Sequence, residues 1–268
     1  MKDLGIQEYR HLAIRGLMNA LLLALSAVCA SAPVPPATIS ADTLRLEVGS
    51  PEVNALFLPP HRARNSVYIG DAATPTTTWT NELTVSDSAG MRVHRWVTKG
   101  TQASGATWEL YQTYNGRTLA PLQWAHRSSA GADSRLVIDG TRVRGVLKGP
   151  GNAPPTQIDR TIPRAGFIAS ASDLVPMAVG LRAGVVMTAP VWSPQSTTVE
   201  TRVFSVLREE TVRVEGADVK AWRVEERVHG TGELKATWWL TNASPYMVLA
   251  EIPLANGQLQ RITGVALD

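Results

Sequence analysis

The sequence predicts a mainly β protein, an antiparallel meander carrying one short helix, and three observations lead there. From residue 43 onward the apolar residues recur with period two, the spacing of a strand with one wet face. Asn-Gly and Asp-Gly pairs stand between the alternating runs, where tight hairpins need positive φ. Only one stretch after the N-terminal region has helical spacing.

Residues 1–30 have the pattern of a removable secretion signal. Lys2, Arg10 and Arg15 precede an apolar run over residues 17–28, and small residues follow to Ala32. The run is short of the roughly 20 residues a membrane span needs and contains Asn19 and Ser26. Val28-Cys29-Ala30 is the better cleavage frame, because Pro33 stands just after Ala30-Ser31-Ala32 and hinders a cut there. Lipid attachment at Cys29 would need a small residue before it, where Val28 stands. Cleavage after Ala30 removes the only cysteine, and with it any disulfide, thiol nucleophile or thiolate metal site. Residues 31–42, small and proline-rich, read as an extended tether, and residues 43–268 as a single domain with no transmembrane segment.

Along that domain Leu44, Leu46 and Val48 alternate with Thr43, Arg45 and Glu47. Residues 74–80 (TPTTTWT) read as a loop or a polar edge strand. Asn115-Gly116, Asp139-Gly140 and Asn256-Gly257 each separate two strand-like runs. Residues 172–181 (SDLVPMAVGL) form the helix: Ser172 suits the cap, Asp173 the positive end of the dipole, and Pro176 falls in the first turn. Its stripe of Leu174, Ala178 and Leu181 must pack on the sheet, as a plug or a crossover. Alternation then puts Trp222, Val224 and Glu226 on one face, with Arg223, Glu225 and Arg227 opposite. In the next strand Trp238 and Leu240 share a face, and Trp239 points the other way.

No constellation specifies a chemistry. No cysteine remains after cleavage, and His61, His94, His126 and His229 have no metal-ligand spacing. The serine-hydrolase elbow and the phosphate-binding loop are missing. Glu209-Glu210 and Glu225-Glu226 are adjacent, and adjacent strand side chains point to opposite faces, so neither pair shares a site. The charges are mixed and the formal net charge is +3, which argues against nucleic acid. No cofactor is expected. Eight tryptophans against three phenylalanines and five tyrosines supply large apolar bodies, for a core or for the wall of a ligand cavity.

The motif Leu174-Val175-Pro176-Met177 with Gly184, then Val214-Glu215-Gly216, Trp238-Trp239-Leu240, Pro245 before Met247-Val248-Leu249, and Gly257 resembles a family of exported bacterial proteins. The family is catalogued as a domain of unknown function, DUF3108. Asn115-Gly116-Arg117-Thr118-Leu119-Ala120-Pro121 is similar to its earlier turn and strand, so the resemblance covers about residues 79–265. It implies a fold like that of periplasmic carriers of outer-membrane lipoproteins: a strongly curved antiparallel sheet, an open half-barrel, with a short helical lid or plug. It implies no catalytic residues.

The expectation is a non-enzymatic, exported, periplasmic protein. It would bind a lipid or acyl chain in the concave sheet, with Leu174, Met177 and Leu181 as lid and Trp222, Trp238 and Leu240 as part of the wall. The alternative is an envelope structural or interaction protein whose concavity is filled by its own side chains, with outward Trp239 free to anchor a protein partner.

Overall fold

The computed structural model describes residues 43–88 and 90–267. Two antiparallel meanders share one sheet. The first runs through β2 (His61–Ile69), β3 (Thr77–Ser88), β4 (Met91–Gln102), β5 (Thr107–Asn115), β6 (Pro121–Ser128), β7 (Asp133–Asp139), β8 (Arg142–Leu147) and β9 (Thr156–Thr161). The second runs through β11 (Val186–Trp192), β12 (Val199–Val214), β13 (Ala217–Val228), β14 (Leu234–Leu240), β15 (Met247–Pro253) and β16 (Leu259–Ala266). They join where β16 pairs with β2, Ile262 opposite Val67 and Gly264 opposite Asn65. The two-residue strands β1 (Leu44–Arg45) and β10 (Phe167–Ile168) add parallel to β11. The sheet does not close into a barrel, and its path ends at β9. Side chains span the seam: Arg160 of β9 donates to the carbonyl oxygens of Pro194 and Ser196, both at 2.8 Å. The expected open half-barrel is the fold.

The turn signals act as read in two of three places. Gly140 takes φ 57° between β7 and β8, and Gly257 takes φ 80° between β15 and β16. Asn115-Gly116 makes a wider loop instead, because the Asn115 side chain accepts the N–H groups of Arg117 and Thr118 and the positive φ falls on Leu119. Residues 77–80 lie in β3, which is paired on both sides and is no edge.

The helix α1 (Leu174–Val179) is shorter than residues 172–181. Ser172 does not cap it; its hydroxyl donates to Glu226 Oε2 at 3.0 Å. Pro176 is tolerated in the first turn, and Gly180 at φ 100° ends the helix. Leu174, Val175, Pro176, Met177 and Ala178 are all buried, so the helix is covered all round and serves as a plug, not a lid. The cover on its far side comes from residues 53–58. Asn54 N–H donates to the Ala178 carbonyl at 2.8 Å, and Val53, Ala55 and Leu58 join the same core.

A second layer lies outside. The tip of the β12–β13 hairpin is tied to β2 by Arg64–Glu215 at 2.8 Å, and Val214 and Ala221 pack there with Trp239 and Val248. Trp239 does point outward as alternation requires, but it is 7% exposed and its Nε1 donates to Glu210 at 2.7 Å. The hairpin, which no local pattern announces, removes it as a free contact point. Among the described residues no helix is long and apolar enough to cross a membrane.

Candidate functional site

The six residues expected to hold a ligand come together. Trp222 lies opposite Leu240 and Val224 opposite Trp238 across β13 and β14. Leu174, Met177 and Leu181 pack into the same core from α1 and the turn after it. Leu174, Met177, Leu181 and Leu240 are buried, and Trp222 and Trp238 are half-buried against that core. Of the other tryptophans Trp96, Trp124 and Trp192 are core residues, while Trp79 and Trp108 are half-buried with ring centroids 6.0 Å apart.

Glu226 crosses this apolar face. Alternation placed it inside with Trp222, and its neighbours make that position tenable. Arg202 Nη1 reaches Oε1 at 2.8 Å, while Ser172 and Trp238 Nε1 donate to Oε2 at 3.0 and 3.1 Å. The carboxylate thereby ties β12, β14 and the approach to α1 to β13.

Beside it, His61, Asn65, Asn81, Trp96, Asp173 and Tyr246 line a cavity of about 20 Å³. His61 Nδ1 and Asn65 Nδ2 are buried with no partner among the described residues. A cavity must exceed roughly 10–15 Å³ to hold a single water, so this one has no room for a substrate. Burial, and then the charge of Glu226, push the Asp173 carboxyl up to about 7, against the pull of the backbone N–H groups of Asp173 and Leu174. Burial pushes His61 down to about 4, and burial with the charge of Arg92 does the same to His94. Among the described residues no three His, Cys, Asp or Glu side chains gather as metal ligands would.

These shifts give opposite pH dependences. The two histidines bind protons in the unfolded chain at their ordinary value of about 6.5 but in the fold only near 4. Their stability is therefore complete above pH 6.5 and lost as the pH falls towards 4. Asp173 holds its proton longer in the fold, so the stability tied to that proton is lost as the pH rises through about 7. Asp173→Asn removes the ionisation, and urea unfolding should show its advantage over the wild type growing by about 2 kcal/mol from pH 5 to pH 8. A pH-independent difference would show that the fold does not force the proton on.

The larger recess is on the outer face of β5, β6, β7 and β8, a groove of about 570 Å³. The register builds its floor. Tyr111 lies opposite Ala125, Ala125 opposite Arg135, and Arg135 opposite Val146, with Gln123 opposite Val137 one row along. Tyr111, Ala125, Val137 and Val146 give an apolar surface, Glu109 and Arg127 border it, and Arg135 stands within it between Ala125 and Val146. Val137 is 50% exposed, a large apolar side chain that no other described element covers. Arg95 stands over the Tyr111 ring, 5.7 Å from its centroid. Ligand sites commonly measure about 300–1,000 Å³ with mostly apolar walls and a few polar groups, and the groove falls in that class. Alternation gives which of these side chains face outward, but it gives no sign that this part of the outer face is hollow.

No curated protein matches the chain. The crystal structure of a β-barrel-like protein of domain of unknown function DUF1849 from Brucella abortus is similar at a TM-score of 0.45 and 10% identity, over 79% of this chain and 97% of that one. The model of the family described as "Protein of unknown function (DUF3108)" matches residues 64–261, from β2 into β16 and so across both meanders. The chain belongs to the DUF3108 family.

Proposed function

We propose that this protein is a non-enzymatic periplasmic binder of an apolar ligand, and that the ligand lies in the outer groove over β5–β8. The contrast in room carries this reading: about 570 Å³ over an apolar floor outside, against about 20 Å³ beside the plugged interior. The N-terminal pattern of residues 1–30 supports export. The carboxyl pushed to about 7, a value useful in acid–base catalysis, borders a cavity too small for a substrate, which supports a binding role.

Val137→Glu tests the site. It places a charge on the exposed floor, where substitutions usually change stability by no more than about 0.5 kcal/mol. Binding of a fluorescent fatty-acid probe should be lost while the unfolding midpoint stays put. A wild-type protein that binds no acyl probe and leaves the bacterial envelope without lipid, by native mass spectrometry, overturns the reading.

A second reading is favoured by one observation: Leu174, Met177, Leu181 and Leu240 already fill the concavity. The protein would then serve as an envelope interaction protein through its outer faces. Crosslinking in the periplasm that captures one protein in stoichiometric yield, with no bound lipid, would select it.

A further inference from the structure

Resting on that reading, we infer that the ligand of the outer groove is a single-chain amphiphile with an oxyanion head, taken up as a monomer, its head held by Arg127 and Arg135. The two side chains are diagonal neighbours on the outer ladder, since Ala125 lies opposite Arg135 and Arg127 opposite Asp133. Asp133 is shared between them, at 3.5 Å from Arg127 and 3.3 Å from Arg135. Arg135 donates to it from both Nε and Nη2, but exposed pairs of that length are worth little, so both guanidinium groups can turn to a second acceptor. Their planar fork of donors matches a carboxylate or phosphate.

The surroundings keep the sign positive. Arg144 lies opposite Val137 on the same outer face, with Asp159 on its other side, and Arg95 covers Tyr111. Of the nearby carboxylates, Glu109 is paired with Lys99 at 3.2 Å. Arg95, Lys99, Arg127, Arg135 and Arg144 thus face the groove region against Glu109, Asp133 and Asp159, five cations to three carboxylates. From Arg127 and Arg135 the apolar floor continues over Ala125 and Val137, and the four strands span roughly 14 Å at the usual strand spacing. Guanidinium groups set against an apolar floor fit an anionic head on an acyl tail. A cationic amphiphile would meet net repulsion there, and a neutral one would offer the arginines no charged acceptor beyond Asp133.

Three amphiphiles with the same twelve-carbon tail, offered below micelle formation, test this: laurate, dodecyl maltoside and dodecyltrimethylammonium. By calorimetry laurate should bind about ten-fold or more tighter than either of the others, a difference of about 1.4 kcal/mol. Added salt should weaken laurate alone. The double variant Arg127→Gln/Arg135→Gln should bring laurate to the affinity of the maltoside. Equal binding of all three heads overturns the inference and leaves the apolar-ligand reading standing, whereas binding of none overturns both. Binding to anionic vesicles without binding of monomeric laurate overturns the monomer as the source.

Discussion

Arg202→Met should cost about 3–5 kcal/mol of folding stability, because it takes the guanidinium from a buried carboxylate. Glu226 is 3% exposed on the inner face of β13, and the Arg202 side chain reaches it at 2.8 Å from β12. Arg202 also binds Glu200 at 2.6 Å at the edge of the core, so its loss affects two acids, of which only Glu200 can turn to water. Ser172 and Trp238 still donate to Glu226, but neutral donors do not balance its charge. In a domain of this size the loss should lower the melting temperature by about 10 °C, at 2–4 °C per kcal/mol. The double variant Arg202→Met/Glu226→Leu leaves only the half-exposed Glu200 charge behind and should recover most of the deficit, since buried ion pairs replaced whole by apolar side chains are often near neutral. Urea unfolding of the single and double variants decides it. A double variant as weak as the single one would mean that packing, not charge, sets the cost.

Gly145→Ala has the second largest expected effect, about 2–4 kcal/mol from strain and overpacking together. Gly145 sits in β8 opposite Leu136 at φ 143°, where L side chains are strained, and an added Cβ would collide with the backbone carbonyl of Arg135. Since backbone cannot turn aside as a side chain can, the β7–β8 ladder must part, and Arg135 and Val146 on the groove wall move with it. Gly140→Ala is the control. Its φ of 57° is also left-handed, but nothing lies within 4 Å of the added Cβ, so it should lose only about 1 kcal/mol and keep acyl-probe binding. Equal losses at the two glycines would remove the close approach of β7 and β8 from the explanation.

Local pattern reached far into this fold. Alternation put Trp222, Trp238, Leu240 and Glu226 on the inner face, and the register of β13 with β14 pairs them there. It could not supply Arg202, 24 residues earlier in β12, because a buried acid does not say which distant strand brings its counter-charge. The helix was legible from its stripe, but its length was not. Ser172 suits a cap by type, but its hydroxyl is placed to donate to the buried Glu226 carboxylate and accepts no helix N–H. Trp239 was placed on the correct face with the wrong exposure, since the β12–β13 hairpin that covers it is a tertiary event. Residues 53–58 carry no strong period, and their role as the outer cover of α1 comes from contacts with Ala178 and Arg117 that lie far along the chain. The groove was the least legible feature. Period two separates the faces of a strand, whereas a hollow on one of them depends on how four strands twist together.

The placement of the ligand is the central claim, and a crystal structure with bromine-labelled laurate tests it most directly. The account predicts an anomalous bromine peak in the outer groove, against Tyr111, Ala125, Val137 and Val146. A peak inside the half-barrel, among Leu174, Met177, Leu181, Trp222, Trp238 and Leu240, would contradict it.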